Sequence, residues 1–405
     1  MKILHALAQR PGRTGSGVFL QQLFQAGFEK NHQQAVLAGV PSSDQNPNIE
    51  NLDLKNYYPV LFESENLPFS VVGMSDIMPY NSTKYSDLDE KMYMQYETEF
   101  KKVIKKAVEK FNPDVIICNH IWLLATFIKD LYPNLKILTL CHGTDLRQLQ
   151  RAHKLVPIVK KKIPRCEYFF ALNPIQAKQI KEFYGVKDEQ IIVSGSGYNP
   201  KMFFPIKREK NEKVVITYVG KICKAKGVKN LLNCINKCKN YDQIKLNLIG
   251  NGASKESEEI IKSIKDKKNK ISYLGMLPQD QLEQRLRTSD IFILPSFFEG
   301  LPLVVIEALA SGAKVICTDL PGLDDFLGEK LKKLKAIRYV KMPRLKNLDT
   351  PYEEDIKEFE SNLSKTIDNV ALEIIKDEKY NIDEVIKLLE DKTWFGLFEK
   401  FEERF

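Results

Sequence analysis

Short apolar runs alternate with helix-length amphipathic stretches along most of this 405-residue chain. Continuous apolar runs of this length are typical of parallel strands that are buried on both faces. Their alternation with helices predicts right-handed β–α–β units and doubly wound sheets. The runs of the first half are Lys2–Ala8, Gln34–Val40, Asp114–Asn119, Lys136–His142, Tyr168–Asn173 and Ile191–Ser194. Those of the second half are Val214–Gly220, Lys245–Gly250, Ile271–Leu274, Ile291–Pro295, Lys314–Thr318 and Ile337–Val340. Two such series in one chain predict an α/β protein with two Rossmann-like domains.

The boundary between the two series falls in Pro200–Lys213, a segment rich in proline and charge. The sequence therefore predicts an N-terminal domain over residues 1–205 and a second domain over residues 206–382. A last helix over residues 383–405 is predicted to cross back to the N-terminal domain.

Aromatic residues mark two further segments. Those of the last helix, its predicted anchor, are Trp394, Phe395, Phe398 and Phe401. They are equally well explained as the apolar face of an ordinary amphipathic helix. Pro41–Tyr96 is rich in Pro, Ser, Asn and aromatic residues, and it is predicted to be irregular, with an exposed aromatic-rich loop in the 60s to 80s.

Composition narrows the class of protein. With 43% hydrophobic and 28% charged residues, the chain has the balance of a globular protein. No signal peptide is recognised, and no apolar run approaches the ~20 residues that span a bilayer, so a cytoplasmic protein is expected. The seven scattered cysteines favour reduced thiols. The net charge of +8 fits either a lysine-rich solvated surface or anionic partners, but no nucleic-acid recognition module accompanies it.

A carboxylate, Glu299, follows the apolar run Ile291–Pro295. Ligands of doubly wound sheets bind beyond the carboxyl ends of the strands, so Glu299 is placed where chemistry is expected. Gly300 permits close approach of the backbone to a ligand. Pro302 suits a helix start, and Gly312 suits the helix end.

A second carboxylate, Glu307, lies inside this apolar helix. An unpartnered buried carboxylate is costly, so Glu307 is expected to have hydrogen-bond donors. Ribose hydroxyls are natural donors at such an edge. The alternative is a structural glutamate that caps a neighbouring loop.

Two lysines follow the first strand of the second half. Lys221 and Lys226 precede a helix start at Gly227, and two ammonium groups there are suited to a diphosphate. The alternative is that both lysines are simply solvated. No Asp-x-Asp stands at a strand end, so no metal site is predicted.

In the first half, Gly15, Ser16 and Gly17 open a helix after the first strand, where backbone N–H groups can meet a phosphate or a sugar. Leu20 stands where the last glycine of a dinucleotide fingerprint would be, which disfavours NAD binding. His142 ends a strand at the ligand edge and is a candidate for chemistry, and His120 is a weaker candidate at another strand end.

The segment around Glu299 and Glu307 resembles the signature of retaining GT-B glycosyltransferases of the family-4 type (glycosyl transferases group 1). Segments 214–232, 246–253 and 271–296 also resemble that family, with Lys221 in place of its usual arginine. Over Met1–Asn199 the resemblance is thinner and depends on Arg13–Gly17, Cys141–Thr144 and Ser194–Phe204.

The resemblance implies a GT-B architecture, in which two Rossmann-like domains face each other across a cleft, and transfer with retention of configuration. It implies Glu299, His142 and Lys226 as catalytic residues. It implies that the donor is a nucleoside-diphosphate sugar, with UDP-sugar ahead of GDP-sugar, and that no metal or other cofactor takes part. The residues implied for donor binding are Gly15, Ser16, Gly17, Lys221, Lys226, Glu299, Gly300, Leu301, Leu303 and Glu307. The implied acceptor is a glycan, a lipid-linked molecule or a protein, and the first domain would shape its side of the site.

Two other functions remain as alternatives: a non-catalytic GT-B-like partner subunit, and a sugar-nucleotide epimerase or a phosphorylase on the same fold. A separate hypothesis is peripheral contact with the inner face of the membrane. It is motivated by the basic stretch Lys154–Arg165 and by the loop in the 60s to 80s.

Overall fold

The chain forms two compact units in a computed structural model, which describes residues 1–12, 14–75, 78–208, 212–252, 255–264, 270–347, 349–378 and 381–405. The first unit comprises Met1–Gly195 and Trp394–Phe405, and the second comprises Ser196–Thr393. These limits differ from the predicted boundaries at 205 and 382. The segment before residue 205 belongs to the second unit because Phe203 is buried in the core of that unit. The N–H of Tyr198 also donates to the carbonyl of Lys392 over 3.0 Å, which joins both ends of the second unit.

The first unit is built on a parallel sheet. Its strands are β1 (Lys2–Leu7), β2 (Gln33–Pro41), β3 (Tyr57–Phe62), β4 (Val72–Gly73), β5 (Thr83–Lys84), β6 (Val115–Asn119), β7 (Lys136–Leu140), β8 (Tyr168–Ala171) and β9 (Ile191–Val193). Its helices are α1 (Gly15–Glu29), α2 (Glu90–Phe111), α3 (Leu123–Leu131), α4 (Thr144–Arg151), α5 (Val156–Lys162), α6 (Pro174–Tyr184) and the last helix of the chain, α15 (Trp394–Glu402). The sheet order is β3-β2-β1-β6-β7-β8-β9, and β4 pairs with β5 separately.

The second unit repeats this plan. Its strands are β10 (Val214–Val219), β11 (Ile244–Ile249), β12 (Ile271–Gly275), β13 (Ile291–Leu294), β14 (Lys314–Thr318) and β15 (Ile337–Val340), in the sheet order β12-β11-β10-β13-β14-β15. Its helices are α7 (Val228–Ile235), α8 (Lys255–Lys262), α9 (Gln279–Arg287), α10 (Leu303–Ala310), α11 (Leu323–Leu327), α12 (Glu329–Lys333), α13 (Glu353–Ile375) and α14 (Ile382–Leu389). Neighbouring strands in both sheets pair in parallel, as the continuous apolar runs predicted.

Side-chain caps set several helix starts, because the first N–H groups of a helix lack partners within it. The Asp89 carboxylate accepts from the N–H of Met92 over 2.7 Å at the start of α2. Asn173 does the same for Gln176 at the start of α6, over 2.8 Å. Gly185 ends α6 in a left-handed conformation with φ +67°, which glycine adopts without strain.

One strand departs from the sequence prediction. Residues 57–62 lie in the stretch predicted to be irregular, yet they form β3, which pairs with β2 at the edge of the sheet. Pro59 argues against a central strand, but an edge strand tolerates it because one side of its ladder has no partner. The aromatic residues of the 60s to 80s are less exposed than predicted, since Phe62 and Tyr85 are buried and Phe69 and Tyr80 are half-buried.

The last helix, α15, packs within the first unit through the aromatic residues on its apolar face. The Phe401 ring stacks on Phe170 with centroids 3.8 Å apart. The Glu402 carboxylate accepts from Lys30 over 2.6 Å and lies 2.9 Å from the His32 ring nitrogen. Phe395 is 43% exposed, in contrast to the fully buried Phe398 and Phe401. The packing of α15 is therefore an aromatic contact reinforced at one end by charge.

Among the described residues, no helix combines the length and the apolar character needed to cross a bilayer.

Replacing Phe401 with alanine should destabilise the first unit, because the change removes a fully buried ring and its stacking contact with Phe170. We expect the free energy of unfolding to fall by about 3–5 kcal/mol, measured by urea denaturation. Phe395→Ala, at an exposed position on the same helix, should cost less than about 1 kcal/mol. Equal losses in the two variants would contradict this account of how α15 is anchored.

Candidate active site

Two loops meet beyond the carboxyl ends of neighbouring strands in the second unit. β10 pairs with β13 in parallel, with Ile216 beside Ile291. The loop after β10 leads through a short 3₁₀ turn, Lys224–Lys226, into α7. The loop after β13 leads from Ser296 into α10. Because parallel neighbours deliver both loops to one sheet edge, side chains distant in sequence can come together there.

Gly227 permits the close approach of these loops. It has φ +66°, and a Cβ at this position would overlap the carbonyl oxygen of Pro295. The N–H of Phe297 also donates to the carbonyl of Ala225 over 3.0 Å. A larger residue at 227 would push the two loops apart, so this glycine is required by the packing itself.

The contact brings the predicted residues Lys226 and Glu299 together. The Lys226 Nζ lies 2.7 Å from Oε2 of Glu299 and donates to the carbonyl oxygen of Phe298 over 2.8 Å. Both side chains of the pair are 20% exposed. An ammonium group and a carboxylate thus face a partly open edge of the sheet.

Glu307, unlike Glu299, has no cationic partner among the described residues. It lies on α10, half-buried, and burial raises the pKa of its carboxyl to about 7. No donor within the described part of the chain offsets that burial. A ligand that carries hydroxyl groups would supply the hydrogen-bond donors expected for a buried carboxylate.

The other predicted donor-binding residues of the second unit lie around this pair. Lys221 is exposed on the loop after β10, and Gly300 is exposed on the loop after β13. Leu301 and Leu303 are half-buried against the core of the unit. Pro302 is the cap residue of α10 rather than part of its first turn, and the chain leaves the helix at Gly312 with φ +84°.

In the first unit, His142 lies at the end of β7 in a cluster with His120, from the end of the neighbouring strand β6. The two rings are 4.8 Å apart. Nε2 of His142 is 3.3 Å from Oδ1 of Asn119. Burial, together with the nearby His120, lowers the pKa of His142 to about 3. His142 is therefore neutral at physiological pH. Its ring can donate one hydrogen bond and accept another, but it does not act as a cation.

Asp145, which the sequence did not single out as a binding residue, organises this cluster. Its buried carboxylate lies 3.1 Å from Nδ1 of His120 and accepts from the N–H groups of Ile121 and His142, each over 2.7 Å. Burial alone would raise the pKa of Asp145, but His120 and these contacts hold it below its usual value. Asp145 thus ties together the loops after β6 and β7. An acid in the first turn of α4, directly after His-Gly-Thr, was the available signal.

The predicted residues Gly15, Ser16 and Gly17 form the first turn of α1. Thr14 caps it by accepting from the N–H of Gly17 over 3.1 Å. The Ser16 hydroxyl is buried and accepts from the Gln9 amide over 2.8 Å, so it is occupied within the protein. Space beside Gly15 is open, with no atom within 4 Å of the position that a Cβ would take, whereas Gly17 lies against the backbone of Gly12. Arg13 lies outside the described residues.

The turn and His142 belong to one region of the first unit, because Phe19 of α1 meets the His142 ring edge-on at 5.2 Å. The structure therefore brings together Lys226, Glu299 and their neighbours in the second unit, and Gly15–Gly17 and His142 in the first. Ser296, Asn119 and Asp145 are the site-forming residues that sequence reasoning missed.

Each unit is thus a Rossmann-like parallel sheet with polar side chains gathered at the carboxyl ends of its strands, and the fold is GT-B. It resembles sucrose-phosphate synthase from Thermosynechococcus elongatus with a TM-score of 0.69 and 15% identity, over 100% of this chain and 98% of that one. It resembles HepE from Anabaena, solved with UDP and glucose, with a TM-score of 0.67 and 13% identity, over 100% and 99% of the two chains.

Sequence comparison points to the second unit in particular. Residues 201–336 match the family model described as Glycosyl transferases group 1. A stretch of 112 residues is 35% identical to the putative teichuronic acid biosynthesis glycosyltransferase TuaC of Bacillus subtilis, covering 28% of this chain and 26% of that protein. The alignments to the first curated relatives span 26%, 64% and 39% of their lengths.

Replacing Glu307 with glutamine should make stability less dependent on pH. The folded pKa of about 7 exceeds the ordinary glutamate value of 4.5, so the folded state keeps its proton longer than the unfolded state. The resulting stabilisation is complete below pH 4.5 and is lost as pH rises through 7. Between these limits the wild type should lose about 1–3 kcal/mol of unfolding free energy relative to Glu307→Gln, measured by urea denaturation. Glu358→Gln, an exposed control, should follow the wild type, and parallel pH profiles for all three proteins would refute the assignment.

Proposed function

We propose that the protein is a glycosyltransferase of the retaining, family-4 type that moves a sugar from a nucleoside-diphosphate sugar to an acceptor in glycan or glycoconjugate synthesis. The observation that carries the proposal is the Lys226–Glu299 pair at the carboxyl edge of the second sheet, 2.7 Å apart. A diphosphate needs cations, and a sugar needs hydrogen-bond acceptors for its hydroxyls. The match of residues 201–336 to the group 1 family supports the same function.

In this proposal each part of the donor has its own partners. The Glu307 carboxylate accepts from the ribose hydroxyls, which provides the donors that its burial calls for. Lys221 and Lys226 bind the diphosphate. Glu299 and the backbone of Gly300–Leu303 bind the hydroxyls of the transferred sugar. Lysine at 221 keeps the positive charge but lacks the two-pronged geometry of arginine.

The proposed reaction balances without a protein nucleophile. The bond from the anomeric carbon to the leaving phosphate oxygen breaks, and a bond from that carbon to the acceptor oxygen forms on the same face. The acceptor's proton passes to the leaving phosphate. Lys221 and Lys226 stabilise the negative charge that develops there, in the place that a metal ion takes in other transferases. We assign to neutral His142 a hydrogen bond with a sugar hydroxyl.

The donor base is proposed to be uracil ahead of guanine. HepE, a structural relative, was solved with UDP and glucose. The acceptor is proposed to be a glycan, a lipid-linked molecule or a protein, and the site of action to be the cytoplasm.

Nucleoside diphosphate release tests this function. Incubated with UDP-, GDP- and ADP-sugars and no acceptor, the wild type should slowly release one nucleoside diphosphate, and the same donor should raise its melting temperature. Lys226→Ala should lower the rate by about 100- to 1000-fold, because it removes a cation from the leaving group. Lys245→Ala is the matched control. It deletes an equally charged but exposed side chain near the amino end of β11, so its rate should equal that of the wild type.

Other outcomes would favour the rival functions. No release and no thermal shift with any donor would indicate a non-catalytic partner subunit. Interconversion of one nucleotide sugar into another would indicate an epimerase.

We also propose peripheral contact with an anionic membrane through the basic segment of the first unit. Lys160 and Lys161 on α5 are exposed, whereas Lys162 is bonded to Asp130 over 2.5 Å. Arg165 also pairs with Asp130, over 3.1 Å. The free charge of the segment is therefore smaller than its sequence suggests. The aromatic loop of the 60s to 80s supports the contact less than the sequence suggested, because Phe62 and Tyr85 are buried and Phe69 and Tyr80 are half-buried.

Co-sedimentation with phosphatidylserine vesicles at low salt tests this contact. Replacing Lys160 and Lys161 together with alanine should weaken binding by about 2 kcal/mol, or about 30-fold, since each lysine near an anionic surface contributes about 1 kcal/mol. Lys105→Ala with Lys106→Ala removes two adjacent exposed lysines from α2 and is the control for net charge. Equal binding by both double variants, or no binding by the wild type, would rule the contact out.

A further inference from the structure

Ser296 connects the end of β13 to the candidate site. Its side chain is completely buried. Its hydroxyl donates to Oε1 of Glu299 over 2.8 Å, and its carbonyl oxygen accepts from the Thr318 hydroxyl over 2.5 Å. Ser296 is therefore held by Thr318, at the end of the neighbouring strand β14, and its own hydroxyl holds the Glu299 carboxylate.

The two oxygens of that carboxylate have different partners. Oε1 faces the buried hydroxyl of Ser296, which belongs to the rigid edge of the sheet. Oε2 faces the ammonium group of Lys226, which also bonds the carbonyl of Phe298. A lysine side chain is long and flexible, so the Oε2 contact can be exchanged for another partner, whereas the Oε1 contact is part of the packed structure.

Under the proposed function, an incoming diphosphate would compete with Glu299 for Lys226. Once Lys226 turns to the phosphate oxygens, Glu299 loses its ionic partner and keeps the hydrogen bond from Ser296. That bond restrains the orientation of the carboxylate while Oε2 becomes available to a sugar hydroxyl. A carboxylate without such a restraint would lose more conformational entropy on binding the sugar.

We propose that Ser296 is a positioning residue that holds Glu299 through Oε1 in the orientation needed to bind the transferred sugar. The inference depends on the proposed function, because it assigns Ser296 to the sugar-binding half of that site. The proposed role of Ser296 divides donor binding into two parts, one for the nucleoside diphosphate and one for the sugar. Binding of the nucleoside diphosphate depends on the lysines and Glu307, and binding of the sugar in its reactive position depends on Ser296 acting through Glu299.

The test compares Ser296→Ala with the wild type in two assays. Turnover is measured as release of UDP from UDP-glucose, or of GDP from GDP-mannose if the donor screen selects guanine. Binding of UDP or GDP alone is measured by calorimetry. Turnover should fall by about 10- to 100-fold, as expected for loss of a hydrogen bond to a charged group, with the loss in kcat. The affinity for the nucleoside diphosphate alone should stay within about twofold, since its proposed partners are unchanged.

Two further variants keep the test independent of folding. Thr318→Val removes the hydrogen bond to the Ser296 carbonyl without a large change in shape. It should also reduce turnover, but by less than Ser296→Ala does. Ser311→Ala is the matched control. It deletes another fully buried hydroxyl of the second unit, whose Oγ has no hydrogen-bond partner among the described residues, and turnover should equal that of the wild type.

The outcomes distinguish the inference from the function beneath it. A wild type that releases no nucleoside diphosphate from any donor refutes the proposed function and the inference with it. An active wild type with an equally active Ser296→Ala refutes the inference alone. Loss of nucleoside diphosphate affinity in Ser296→Ala together with turnover would also overturn it, because Ser296 would then support the whole site.

Discussion

The close approach of Gly227 to the carbonyl oxygen of Pro295 determines the geometry of the candidate site. That oxygen lies against the place where any other residue would carry its Cβ. At that separation the loop after β10 contacts the loop after β13, and the backbone of Phe297 bonds to that of Ala225. The Lys226–Glu299 pair depends on this contact, because the pair joins the same two loops. The ion pair of the site therefore depends on a packing constraint at one glycine.

Local patterns predicted most of the strands, because strands buried on both faces leave continuous apolar runs. Lys226 and Glu299 were both predicted as site residues from their places after such runs. Their pairing could not be predicted from those runs alone, since it depends on β10 and β13 being neighbours although β11 and β12 come between them in the chain. Ser296 was missed for a related reason. A serine after a strand has many conceivable partners, and its role appears only when the loop geometry places it beside Glu299.

The first unit illustrates a different limit. His142 was predicted from its place at a strand end, but its neutral state depends on burial and on His120, which comes from another strand. Asp145 was not predicted as a site residue. Its carboxylate accepts hydrogen bonds from groups on two loops, which suits a structural organiser rather than a group that attacks a substrate. Sequence spacing reveals an acid near a histidine, but only the fold reveals how many donors converge on it.

The contrast between Glu299 and Glu307 has a consequence for ligand choice. Glu299 is paired with Lys226, so its Oε2 is masked. A free sugar carries no charge with which to displace the lysine. If it replaced Lys226 beside Glu299, the ion pair would be lost and no new ionic contact would offset that loss. A diphosphate does carry that charge, and under the proposed function it would draw Lys226 away and expose the acceptor that the attached sugar needs. Glu307, which has no donor in the described part of the chain, favours a ligand that brings hydroxyls of its own. Under the proposed function, the site therefore favours a sugar that arrives attached to a diphosphate over a free sugar.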